Sequence, residues 1–74
     1  MADRLRCAVI GTGSIGIQHL ISLTTCPRAA AVAISEIHPQ RAREASERFK
    51  IPRIYSDYRE LLEHPDIDGV IIAV

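Results

Sequence analysis

Three glycines and one carboxylate mark where this sequence can do chemistry. Gly11, Gly13 and Gly16 lie in the stretch Ile10-Gly11-Thr12-Gly13-Ser14-Ile15-Gly16, with the spacing G-x-G-x-x-G. A turn rich in glycine leaves backbone N–H groups uncovered where a helix begins. Those groups, backed by the positive end of the helix dipole, suit an anion and above all a diphosphate. Gly11 permits a tight turn, Gly13 lets phosphate approach the backbone, and Gly16 lets the helix pack closely on a sheet. The amides around Ser14 and Ile15 are expected to point at the phosphates, and the hydroxyls of Thr12 and Ser14 can add hydrogen bonds. Glu36 follows twenty residues after Gly16. A carboxylate there, at the end of a second strand, can accept hydrogen bonds from both hydroxyls of an adenosine ribose and repels a 2′-phosphate. Together these residues read as a dinucleotide site that favours NAD over NADP, with Arg41 and Arg43 close enough to soften the preference.

The glycine pattern carries this meaning only between a strand and a helix, and the flanking sequence supplies both. Leu5 to Ile10 is a short, partly β-branched apolar run, read as a strand buried on both faces at its end. Ser14 to Thr24 follows, with Ile17, Leu20, Ile21 and Thr24 at helical spacing, until Cys26-Pro27 stops it. Ala29 to Ser35 reads as a second strand. His38-Pro39 opens a second helix whose inner face is Ala42, Ala45, Ser46 and Phe49, with Pro52 as its stop and Glu44–Arg48 as an exposed i,i+4 pair. Ile54-Tyr55 is a minimal third strand. Asp57 and Glu60 resemble a capping box ahead of a short third helix with the stripe Tyr58, Leu61, Leu62. Gly69 to Val74, wholly apolar, is the most strand-like run. The order βαβαβαβ predicts an α/β fold: a Rossmann-like parallel sheet with right-handed crossovers and strand order 3-2-1-4.

Composition bounds the rest. The chain has 74 residues, 47% of them hydrophobic, enough for one small core. Nine basic and nine acidic residues balance, with no basic face, so no nucleic-acid partner is expected. Cys7 and Cys26 have no metal-ligand spacing and read as reduced thiols. Neither a secretory leader nor a membrane span is visible, so a cytoplasmic location is expected. His19 reads as a packing or capping residue, His38 as a helix start and His64 as a helix end. Tyr55 and Tyr58 read as core or rim aromatics. There is no Ser-His-Asp arrangement, no paired carboxylate and no metal cluster, so no residue of this stretch is assigned a catalytic role.

The segments "CAVIGTGSIGIQHL", "VAISEIHPQRA" and "YSDYRELLEHPDIDGVIIAV" together resemble the N-terminal domain of the glucose-fructose oxidoreductase / inositol dehydrogenase / MocA family. The resemblance runs from about Leu5 to Val74, and its tail segment is the most specific part. It implies an NAD(P)-dependent dehydrogenase or reductase acting on sugars, polyols or related small molecules, in a parent that is a homo-oligomer. Gly11, Gly13, Gly16 and Glu36 match the family's cofactor positions, although aspartate is commoner where Glu36 stands. His19 matches a position where such proteins often carry histidine. In the family a Glu-Lys-Pro segment with the catalytic lysine, a later histidine and aspartate and a substrate domain come further along. Residues 1–74 are therefore expected to be the N-terminal part of a dinucleotide-binding domain, inactive alone. Two other readings stay open at this point. A methyltransferase using S-adenosylmethionine shares the glycine turn and the acidic residue, although Gly16 argues against it. A non-enzymatic NAD-sensing module shares the whole pattern.

Overall fold

The computed structural model describes residues 4–73. Its strands are β1 (Leu5–Ile10), β2 (Ala29–Ser35), β3 (Arg53–Tyr55) and β4 (Gly69–Ile72). Its helices are α1 (Ser14–Thr24), α2 (Pro39–Phe49) and α3 (Tyr58–Leu62). Four parallel strands form one sheet in the order β3-β2-β1-β4, as the sequence predicts. A register shift between Cys7 and Ala8 leaves Val32 as an extra residue on β2. Val74, expected at the end of the fourth strand, lies outside the described residues.

The sheet divides two half-cores, and its period-two alternation shows which side each residue serves. Val9, Ile34 and Ile71 face α1 and α2, where they meet Leu20, Ala45, Ile51 and Phe49. Ala8, Ala33 and Val70 face the other way, toward Leu61 and Ile67. Helices therefore cover both faces, which is why the middle of β1 and β2 is apolar without interruption.

Several local expectations are corrected. The buried face of α1 is Gly16 and Leu20, with Ile17 and Leu23 beside them, whereas Ile21 and Thr24 turn to solvent. The helix is rotated so that Gly16, not Ile21, meets the sheet. Helix α2 ends before Pro52: Lys50 adopts the left-handed conformation (φ 55°, ψ 48°), and Ile51 N donates to Ser46 O at 2.9 Å. That bond, with Ile51 buried against Ala45, closes the helix as a Schellman motif without glycine. Among the described residues Glu44 and Arg48 form no ion pair; the Arg48 guanidinium lies over the Phe49 ring at 4.9 Å. Asp57 does cap α3, but it accepts from Arg59 N at 2.9 Å rather than from the residue beyond, so only half of a capping box exists. Of the α3 stripe only Leu61 is buried; Tyr58 and Leu62 are half-exposed. Strand β4 pairs with β1 on one side only among the described residues, and Ile72 is 69% exposed.

Candidate functional site

The C-terminal ends of the four parallel strands lie along one edge of the sheet, and the loops after β1 and β2 leave it side by side. The strand order reverses there, since the chain moves from β1 to β2 on one side and reaches β4 on the other. In open α/β sheets this crevice is where ligands bind.

Gly11 leaves β1 with φ 94°, a backbone conformation that side chains rarely adopt. Its amide donates to Ser35 O at 2.8 Å, which ties the turn to β2. Gly16 fills a gap no other residue fits: a Cβ there would stand 1.9 Å from Gly11 O and 2.8 Å from Gly11 C. Gly13 differs. It is the N-cap of α1 in an extended conformation, and a Cβ on it would meet nothing within 4 Å. The packing of the chain therefore gives no reason for glycine at position 13.

Helix α1 begins with no side-chain cap and no acidic residue in its first turn. The first bond of the helix is Ile17 N to Gly13 O at 2.9 Å. The amides of Ser14, Ile15 and Gly16 precede it and have no acceptor among the described residues. Ser14 and Ile15 are exposed. Unsatisfied amides, the positive end of an eleven-residue helix and an open approach at Gly13 together form an anion cradle.

Glu36 sits at the end of β2 beside this turn and is only 7% exposed. Its Oε1 accepts from Thr12 N at 2.7 Å and from Thr12 Oγ1 at 2.8 Å. Its Oε2 accepts from His38 N at 3.1 Å. Burial alone pushes this carboxyl up, yet the Thr12 amide, the His38 amide and the Thr12 hydroxyl hold it, on balance, below its ordinary value. Hydrogen bonds to a charged group contribute on the order of 1.5–3 kcal/mol each, so Glu36 fastens the β1–α1 turn to the β2–α2 turn. Thr12, expected to reach toward phosphate, is buried and turned to Glu36 instead. Sequence spacing placed Thr12 in the loop but held no signal for this pairing, because its partner lies 24 residues away.

A groove of about 390 Å³ runs along this edge, lined by Gly11, Gly13, Glu36, Ile37, Arg41 and Tyr58. Ile37 is 75% exposed at its rim, and neither it nor Tyr58 stood out in the sequence as a groove residue. Arg41 borders the groove beside Glu36, and Arg43 borders a neighbouring depression that Glu36 lines together with Pro39 and Ile54. A second groove, of about 350 Å³, lies at the opposite end of the sheet near Cys26 and Pro27, away from every strand C-terminus. The remaining candidates stay apart from the cradle. His19 is half-buried on α1, and His38, the N-cap of α2, borders the groove and donates its backbone amide to Glu36. His64 lies with Arg53 and Asp66 near the start of β3. Cys7 and Cys26 are both free thiols. Among the described residues no group of three His, Cys, Asp or Glu can hold a metal ion, and no helix is long and apolar enough to cross a membrane.

A doubly wound parallel sheet with this turn and this carboxylate defines a Rossmann-type dinucleotide-binding unit. Comparison with known proteins agrees: residues 5–74 match the model of an oxidoreductase family with an NAD-binding Rossmann fold. The chain belongs to that family, the glucose-fructose oxidoreductase / inositol dehydrogenase / MocA oxidoreductases. It is 37% identical over 70 residues to the inositol 2-dehydrogenase of Acidothermus cellulolyticus, covering 93% of this chain and 20% of that protein. It is equally similar, 37% over 69 residues, to the myo-inositol 2-dehydrogenase of Thermotoga maritima, covering 93% and 21%. Among solved structures, the myo-inositol dehydrogenase of Lactobacillus casei in complex with NAD(H) and myo-inositol superposes with a TM-score of 0.89 at 35% identity. That match covers 95% of this chain and 21% of that one. The chain thus spans about a fifth of the length of the relatives it matches.

Proposed function

We propose that residues 1–74 are the cofactor-holding N-terminal part of a larger dinucleotide-binding domain in an NAD-dependent dehydrogenase of sugars, polyols or related alcohols. The observation that carries this reading is the pair of unlike glycines. Gly16 is demanded by the packing of the chain, whereas Gly13 faces open space at an uncapped helix start. In this reading the amides of Ser14, Ile15 and Gly16 hold the pyrophosphate, and Gly11 and Gly13 let it approach. Glu36 receives the adenosine ribose and disfavours a 2′-phosphate. When bound, the nicotinamide supplies the hydride acceptor. This stretch of chain holds the opposite, adenosine end. Relatives named as inositol dehydrogenases, one of them solved with NAD(H) and myo-inositol, support the class of substrate.

The test is a calorimetric or NADH-fluorescence titration of the intact protein and of its Gly13→Val and Glu36→Ala variants. Both variants are expected to weaken NAD binding by about tenfold or more. Gly13→Val is the cleaner of the two, because Glu36→Ala also releases Thr12. Unchanged affinity in both variants would overturn the assignment, and so would tighter binding of S-adenosylmethionine than of NAD.

A further inference from the structure

Glu36 is built into the turn it serves, and that limits what it can offer a ligand. An ionised carboxylate has about four lone-pair positions, two on each oxygen. Thr12 N and Thr12 Oγ1 occupy both positions of Oε1, at 2.7 and 2.8 Å. His38 N occupies one position of Oε2, at 3.1 Å. One position remains. The side chain cannot swing to free another without loss, because Thr12 and Glu36 are only 4% and 7% exposed. A displaced Glu36 would leave the buried Thr12 amide and hydroxyl with no acceptor. The longer side chain of glutamate serves this arrangement. An aspartate at position 36 would withdraw the carboxylate by one carbon–carbon bond from the Thr12 donors.

Resting on the dinucleotide reading above, we infer that Glu36 grips one ribose hydroxyl, not two, and that Thr12 is the positioning residue that imposes the limit. The Thr12 hydroxyl occupies the Oε1 position a second ribose hydroxyl would need. The same bonds join the glycine turn to the ribose end of the groove.

The experiment is a calorimetric titration of the intact protein with NAD and with its 2′-deoxy and 3′-deoxy adenosine-ribose analogues. It is run on the natural protein and on Thr12→Ala and Thr12→Ser. In the natural protein one analogue is expected to bind about tenfold more weakly than NAD and the other within about twofold. Thr12→Ala removes the hydroxyl, empties the space it fills and opens the second position on Oε1, so the analogue first tolerated now also loses about fivefold against NAD. Thr12→Ser keeps the hydroxyl and keeps the natural pattern. Equal losses with both analogues in the natural protein, or no loss with either, would overturn the inference while leaving the dinucleotide reading intact. An analogue pattern in Thr12→Ala identical to the natural one would overturn the role of Thr12. If NAD itself fails to bind the intact protein, both readings fall together. Should Thr12→Ala not fold, the two analogues on the natural protein and on Thr12→Ser still decide.

Discussion

Replacing Gly16 by alanine and Gly13 by alanine separates folding from binding at one turn. In Gly16→Ala the new methyl carbon starts 1.9 Å from the Gly11 carbonyl oxygen and 2.8 Å from its carbon. An ordinary carbon–oxygen contact needs about 3.3 Å, so α1 must retreat by more than about 1 Å. The obstacle is backbone, so no side chain can turn aside to make room. The retreat pulls Leu20, fully buried, and Ile17 and Leu23 away from Val9 and Ile34. Overpacking of this kind costs about 3 kcal/mol, and the better helix propensity of alanine returns at most about 1 kcal/mol. A net loss of about 2 kcal/mol is expected, read as a lower urea midpoint by circular dichroism. In Gly13→Ala the methyl meets nothing within 4 Å, and the backbone (φ −71°, ψ −167°) suits alanine. Poorer capping and a stiffer unfolded chain oppose each other, so stability moves by less than about 1 kcal/mol. NAD affinity, by contrast, falls about tenfold, because the methyl enters the space left for pyrophosphate. Gly16→Ala melting like the natural protein, or Gly13→Ala losing as much stability as Gly16→Ala, would refute the division of labour.

Other consequences follow from the same geometry. Lys50 holds a left-handed conformation that strains an L side chain, so Lys50→Gly is expected to stabilise the domain by about 1 kcal/mol in urea denaturation. Lys50→Ala, which keeps the strain, should bring no such gain. The folded Glu36 carboxyl sits below its ordinary value of 4.5, so on acidification the unfolded chain takes up that proton first. Its contribution is therefore whole above about pH 4.5 and lost as pH falls through the lower folded value; Asp57 and Asp68, held down by bonds from Arg59 and Arg6, act in the same direction. Urea midpoints followed into acid should fall for the natural protein and fall less steeply for Glu36→Gln; equal slopes would remove Glu36 from the account. The Arg6–Asp68 pair is exposed and screened by solvent, so Asp68→Asn should lower the urea midpoint only slightly, and less still at high salt.

Much of this protein was legible in sequence because its signals are local. Short apolar runs marked the strands, and the alternation of strand and helix, which also decided the alanine-rich β2, dictated parallel pairing and the order 3-2-1-4. The spacing of Gly11, Gly13 and Gly16 between strand and helix, with Glu36 after the second strand, located the cradle. What sequence could not decide depended on how elements rotate and meet. Helical spacing allowed Ile21 and Thr24 onto the inner face of α1, but the contact of Gly16 with Gly11 turned both outward. Pro52 was a plausible stop for α2, yet the burial of Ile51 against Ala45 ended the helix earlier at Lys50. Above all, the glycine pattern treats its members alike, and only the packed structure shows Gly16 serving the fold and Gly13 facing open space. Thr12 and Glu36 were both visible as residue types. That each satisfies the other is a property of two loops brought together by β1 and β2, because a buried hydrogen bond is decided by what lies within 3 Å and not by distance along the chain.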